Sequence, residues 1–142
     1  MAAGTISGDL SLAAALRAAL DRLPRVTLGV WPTPLQRLAR YGELVGHPRL
    51  YIKRDDLTGL GLGGNKTRSL EFLLGEARQQ GADTILTAGG PQSNLCQLTA
   101  AACARLGLRC VLVHNAAPPE PPRSQAGNQL LNRLAGAEAH FV

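Results

Sequence analysis

A chain of 142 residues is the size of one domain with a real buried core. Aromatics make up 4% of it against 45% hydrophobic residues, so that core is built mainly from Leu, Ala and Val. The formal charge of +5 is spread along the chain with no basic cluster interleaved with aromatics, which argues against a nucleic-acid partner and favours attraction of anionic small molecules.

Leu12, Leu16, Leu20 and Leu23 recur on one helical face, with Ser11 as the expected N-cap and Pro24 as the stop. Asp9 and Arg17 interrupt this stretch, so it does not read as a signal peptide, and no run is long and apolar enough to span a membrane. The expectation is a soluble cytoplasmic protein. In Trp31-Pro32-Thr33-Pro34-Leu35, each residue before a proline is pushed toward extended geometry, predicting a rigid connector. A short amphipathic helix over residues 36–45 is expected next. Strands and helices then alternate: strand 50–54, helix 66–80, strand 84–88, helix 93–106, strand 109–114, helix 125–135, and a fourth strand from Ala139. Pro118, Pro119, Pro121 and Pro122 predict a stiff surface loop before the last helix. Gly81, Gly107 and Gly136 stand where a helix end needs positive φ. Alternation with continuous apolar strands predicts an α/β fold, a parallel sheet with helices on both faces. The chain stops inside the last strand with no closing helix, so it reads as truncated.

The basic positions are nearly all arginine; only Lys53 and Lys66 are lysine. Lys66 ends the run Gly59-Leu60-Gly61-Leu62-Gly63-Gly64-Asn65-Lys66, a glycine-rich loop opening a helix. An amine can lose its proton and attack a carbonyl whereas a guanidinium cannot, so Lys66 reads as a Schiff-base lysine rather than a merely solvated one. A second loop, Gly89-Gly90-Pro91-Gln92-Ser93-Asn94, follows a predicted strand at the sheet edge where ligands of parallel α/β folds sit. Its glycines permit close backbone approach, and the helix start beyond offers free N–H groups to an anion. Ser93 can cap that helix, serve the ligand, or do both.

Gly59 to Thr67 nearly matches the phosphate-binding pattern G-x-x-x-x-G-K-[ST], but Asn65 stands between Gly64 and Lys66. That leaves a nucleotide-binding module as a remote alternative. Cys96, Cys103 and Cys110 recur every seven residues without a CxxC pair, and read as buried small hydrophobes rather than metal ligands or disulfides. His47, His114 and His140 show no ligand spacing, so no metal is expected. Tyr41 and Tyr51 read as packing residues. Asp55 and Asp56 read as loop and cap residues whose side chains point apart.

Lys53-Arg54-Asp55-Asp56-Leu57, Gly63-Gly64-Asn65-Lys66-Thr67-Arg68 and Leu70-Glu71-Phe72-Leu73 together resemble the cofactor-lysine region of the D-cysteine desulfhydrase and 1-aminocyclopropane-1-carboxylate deaminase family. Thr87-Ala88-Gly89-Gly90 with Gln92-Ser93-Asn94 resembles its second signature. Gly127-Asn128, Leu130-Leu131 and Gly136-Ala137-Glu138 continue the likeness, which covers residues 28–142. These are pyridoxal 5'-phosphate enzymes of the tryptophan synthase β-like fold (fold type II). The resemblance implies that Lys66 links to the cofactor and shuttles protons, that Asn94 hydrogen-bonds its phenolic oxygen, and that Asn65 helps hold its loop. Ser93 is implied to act near the substrate carboxylate, with Gln92 and Asn94 beside it. The implied chemistry is a lyase or deaminase reaction on a small amino acid. It is either β-elimination from D-cysteine to pyruvate, ammonia and sulfide, or ring-opening deamination of 1-aminocyclopropane-1-carboxylate.

Leu95 stands where the family usually has a polar residue, and Cys96-Gln97-Leu98 replaces a stretch with Arg and Gln, which implies a more apolar pocket. Family members are well over twice this length. The resemblance therefore implies an N-terminal part, with residues 1–48 belonging to the larger domain and 49–142 to the lysine-bearing smaller one, and a homodimer at full length. The alternative is a catalytically inactive fragment, or one half of a split enzyme.

Overall fold

The structure, a computed structural model, describes residues 7–116 and 126–142. The expected proline-rich loop at Pro118–Pro122 and the start of the helix expected from Gln125 lie outside the described residues. No helix among the described residues is long and apolar enough to cross a membrane.

Helix α1 spans Ser7–Leu20, so Ser11 lies inside it rather than at its start. Its leucine stripe is largely exposed: Leu12, Leu16 and Leu20 are 48–58% exposed and Leu23 is 51% exposed. The chain then turns onto helix α3 (Lys66–Gln79), where the backbone of Pro24 and Arg25 lies so close that a Cβ on Gly75 would stand 2.6 Å from Pro24. The Val26 N–H donates to Glu71 O (3.0 Å), and Leu28 enters the core.

The expected 36–45 helix is shorter than its pattern. Leu35–Arg37 forms strand β1, and helix α2 is only Ala39–Leu44. Pro32 and Pro34 deliver an extended chain, and β1 pairs antiparallel with β2 (Tyr51–Lys53), Gln36 opposite Ile52. Backbone bonds Arg54 N–H to Pro34 O (2.9 Å) and Leu38 N–H to Leu50 O (3.0 Å) close both ends of this ribbon. The 50–54 strand therefore stands apart from the parallel sheet. Tyr41 and Tyr51, read as packing residues, are 57% and 50% exposed.

The parallel sheet has three strands in the order β3 (Thr84–Gly89), β4 (Arg109–His114) and β5 (Glu138–Phe141). Thr84 pairs with Arg109 and Val111 with Glu138. Helix α4 (Asn94–Leu106) connects β3 to β4, and helix α5 (Gly127–Leu134) precedes β5. The chain ends of α3, α4 and α5 carry Gly81, Gly107 and Gly136 at φ of 76°, 70° and 76°, as their positions predicted. Leu28, Leu60, Leu70, Leu74, Leu98 and Ala102 form one core cluster. Cys96, Ala100, Cys103, Cys110 and Leu112 form another between α4 and the sheet. The three cysteines are free and buried, the role expected of them. Leu86, on the other face of β3, is 68% exposed.

Helix α3 leads into β3 and α4 leaves it, so both run against the strand. Their N-termini lie at the same edge of the sheet, the carboxyl edge of β3.

Candidate active site

The loop before Lys66 is held by Asp55, the first residue of a 3₁₀ turn over Asp55–Leu57. Arg68 Nε and Nη2 donate to its two carboxylate oxygens, each at 2.7 Å, and the Thr33 hydroxyl donates to Oδ1 at 2.7 Å. The Arg68 guanidinium holds the Asp55 carboxyl down at about 2, and itself lies 4.4 Å from the centre of the Trp31 ring. Asp56 takes Arg54 instead (2.7–3.1 Å), so the adjacent carboxylates do point apart. The Gly64 N–H donates to Asp55 O (2.7 Å) and to the Thr58 hydroxyl (3.2 Å). Gly63, at φ 77°, is packed so tightly that a Cβ would stand 1.9 Å from Asp56 O.

This loop folds inward rather than wrapping a phosphate. Thr67, which a P-loop would offer to Mg²⁺, is fully buried with its hydroxyl 3.2 Å from that of Thr58. The nucleotide-binding alternative fails here. Lys66, by contrast, is exposed at the first position of α3. Its ammonium has no hydrogen-bond or ion-pair partner among the described residues. Asn65 precedes it at the N-cap position without a side-chain capping bond.

The second loop meets the first at the same edge. A Cβ on Gly64 would stand 3.2 Å from Leu98, and one on Gly61 2.6 Å from Gln97 Nε2, so the glycine loop lies on the first turns of α4. Ser93 is the N-cap of α4, its Oγ accepting from the Cys96 N–H at 3.3 Å. The cap leaves its hydroxyl proton free to donate. Asn94 is exposed; its Oδ1 accepts from Asn128 Nδ2 (3.0 Å), and its own Nδ2 has no partner among the described residues. Gln92 is tied by both oxygens, its main-chain O to Asn128 Nδ2 (2.8 Å) and its Oε1 to the Asn128 N–H (2.9 Å). The structure thus places Lys66, Asn65, Gln92, Ser93 and Asn94 on two loops at one edge. Leu95, the residue expected to make the pocket more apolar, packs against the Leu28–Leu98 core cluster.

Several supporting residues have roles that the sequence did not assign. Glu71 is a fully buried carboxylate that accepts from the Leu28 and Gly29 N–H groups (2.8 and 2.9 Å), the Trp31 indole (2.7 Å) and Arg25. Burial alone would raise its pKa. The Trp31, Gly29, Leu28 and Arg25 donors outweigh that and hold it below the usual carboxylate range. His114, read only as the end of a strand, is fully buried with Nδ1 donating to Gly89 O at 2.9 Å. Gln129 donates to Pro91 O. Asn128 follows a glycine at the start of α5 and entered the sequence reading only within the Gly127-Asn128 likeness, with no role attached. The segment 89–94 therefore hangs from β4 and α5 as well as from β3.

An unpaired primary amine, two amide N–H donors without a partner among the described residues and a capped serine hydroxyl stand at the N-termini of α3 and α4. That donor set suits an aldehyde with an anionic oxygen, and so fits pyridoxal phosphate. The family model for pyridoxal-phosphate dependent enzymes matches residues 26–142. The chain belongs to that family. Within it, a protein of Pyrococcus abyssi is 48% identical over 124 residues, 87% of this chain and 36% of that protein. The 1-aminocyclopropane-1-carboxylate deaminase of Burkholderia lata is 46% identical over 127 residues, 87% of this chain and 38% of the deaminase. The crystal structure of an ACC deaminase homologue superposes with a TM-score of 0.79 at 43% identity, covering 88% of this chain and 37% of that one. The expected α/β architecture of fold type II pyridoxal-phosphate enzymes is therefore the observed one. The chain spans a little over a third of the length of these relatives.

Proposed function

We propose that this chain supplies the lysine-bearing side of a pyridoxal-phosphate site that acts on a small amino acid by deamination. The observation that carries the reading is the unpaired Lys66 ammonium at the same sheet edge as the Ser93 hydroxyl and the free Asn94 amide. In this reading Lys66 Nζ would hold the cofactor covalently and would carry a proton to or from the substrate. Asn94 Nδ2 would donate to the cofactor's phenolic oxygen, and the Ser93 hydroxyl would serve the substrate carboxylate or its leaving bond. Gln92 and Asn65 stand in the same two loops, beside Ser93 and Lys66. When bound, the cofactor's ring stores the electron pair released at the substrate's α-carbon.

Of the two implied reactions, ring-opening deamination of 1-aminocyclopropane-1-carboxylate is favoured by the names of the relatives, and D-cysteine β-elimination is the neighbouring alternative. A second reading is favoured by the span of a third of the relatives' length: a part-site that acts only when joined to residues outside this chain. Division at residues 48 and 49 between a larger and a smaller domain, and dimer formation, belong to the proposal as well.

The test is a titration of the chain with pyridoxal phosphate, followed by borohydride and mass spectrometry, beside Lys66→Ala. A visible absorbance band that borohydride traps on Lys66 supports the reading, and D-cysteine and 1-aminocyclopropane-1-carboxylate then separate the two reactions. A cofactor adduct that persists in Lys66→Ala would sink it.

A further inference from the structure

We propose that Asn128 is a positioning residue that turns the Asn94 amide oxygen inward, keeping both Asn94 N–H donors for an anionic oxygen of the ligand. This rests on the cofactor reading above, in which that oxygen is the phenolic one, and extends it to a residue on α5.

Asparagine by itself is ambiguous. Its amide ends are almost the same size, so packing does not choose between presenting N–H₂ and presenting oxygen. Here a backbone group chooses. Asn128 Nδ2 lies 2.8 Å from the Gln92 main-chain oxygen, which can only accept, so the Asn128 atom at that position is the nitrogen. The same nitrogen reaches Asn94 Oδ1 at 3.0 Å with its second N–H. A donor there requires an acceptor, so the oxygen of Asn94 faces α5 and its nitrogen faces away.

Asn128 is itself held by the main chain, its N–H donating to Gln92 Oε1 at 2.9 Å. Gly127 permits this approach. Its φ is 56°, and a Cβ would stand 2.5 Å from Gln92 Oε1. The orientation of a ligand-facing amide is thus dictated through two hydrogen bonds by the carbonyl of Gln92. Were Asn94 reversed, an oxygen would confront the anionic oxygen that the site must hold.

Through-hydrogen-bond scalar couplings in the ¹⁵N,¹³C-labelled chain read this directly, without a variant or a cofactor. The expected result is coupling from Asn128 Nδ2 to Asn94 Cγ and to the Gln92 carbonyl carbon. Coupling in the opposite sense, from Asn94 Nδ2 to Asn128 Cγ, overturns the proposal.

Asn128→Asp then tests the consequence, because aspartate keeps the shape and loses the donor. It should weaken pyridoxal-phosphate binding about tenfold to a hundredfold, the worth of a hydrogen bond to a charged group. In an Asn94→Ala background the same change should cost less than about twofold. Equal losses in both backgrounds would mean that Asn128 only braces the loop, and that also overturns the proposal. Couplings of the expected sense with no adduct on Lys66 in the unmodified chain would defeat the cofactor reading, and the positioning role with it.

Discussion

Glu71 shows how much of this molecule depends on one side chain whose sequence context gives a family likeness but not its burial or its partners. It stands between Leu70 and Phe72 on α3, yet it is fully buried and gathers donors from Arg25, Leu28, Gly29 and Trp31. Truncating it strands those donors, so Glu71→Ala should cost about 3 kcal/mol or more in urea denaturation. Asp55 does the same for the glycine loop. Both carboxyls have folded pKa values below their ordinary ones, Asp55 at about 2. A depressed carboxyl stabilises the fold above its unfolded pKa and stops doing so as pH falls through the folded one. Denaturation measured from pH 5 to pH 2 should therefore show stability falling below about pH 4, and Asp55→Asn should flatten the acid end of that curve. The scarcity of lysine made Lys66 legible in the sequence. Glu71 and Asn128 stood there only as part of the family likeness; their roles were not legible, because those lie in who surrounds them.

At the scale of elements, the site is a meeting of two loops, each braced from a different direction. The glycine loop is pinned to Asp55 and Thr58, with Gly63 against the Asp56 carbonyl. Gly63→Ala has nowhere to put its methyl group and sits at positive φ. It should lose on the order of 1–3 kcal/mol of stability and, by shifting the start of α3, reduce the borohydride-trapped yield at Lys66. On α5 the opposite case holds. Asn132 is 2% exposed and its side-chain amide makes no hydrogen bond among the described residues. Asn132→Leu, of nearly the same shape, should leave stability unchanged or raise it by about 1 kcal/mol, read from the thermal midpoint. The helices α3, α4 and α5 and strands β3 to β5 were legible because their periodicity and terminal glycines are local signals. The β1–β2 ribbon was not, since residues 36–45 carry a helical pattern and only pairing with Tyr51–Lys53 claims the first of them for a strand.

Across the whole molecule, burial is uneven, and that asymmetry has a measurable consequence. Leu98 is fully buried between α4 and α3, whereas Leu16 on α1 is 56% exposed. Leu98→Ala should cost about 2–5 kcal/mol and Leu16→Ala less than about 0.5 kcal/mol in the same denaturation series. The leucine repeat of α1 is as regular as that of any core helix, so periodicity alone could not distinguish them. By itself the sequence determined the α/β alternation, the turn glycines, the buried cysteines and the two motifs that carry the family, because each is written within a few consecutive residues. The tertiary structure alone decided which carboxylate is buried, which strands pair, that Thr67 is closed off, and which way Asn94 faces. Those outcomes depend on contacts between residues tens of positions apart, such as Gln92 with Asn128 and Glu71 with Leu28, and no local pattern encodes the distance between them.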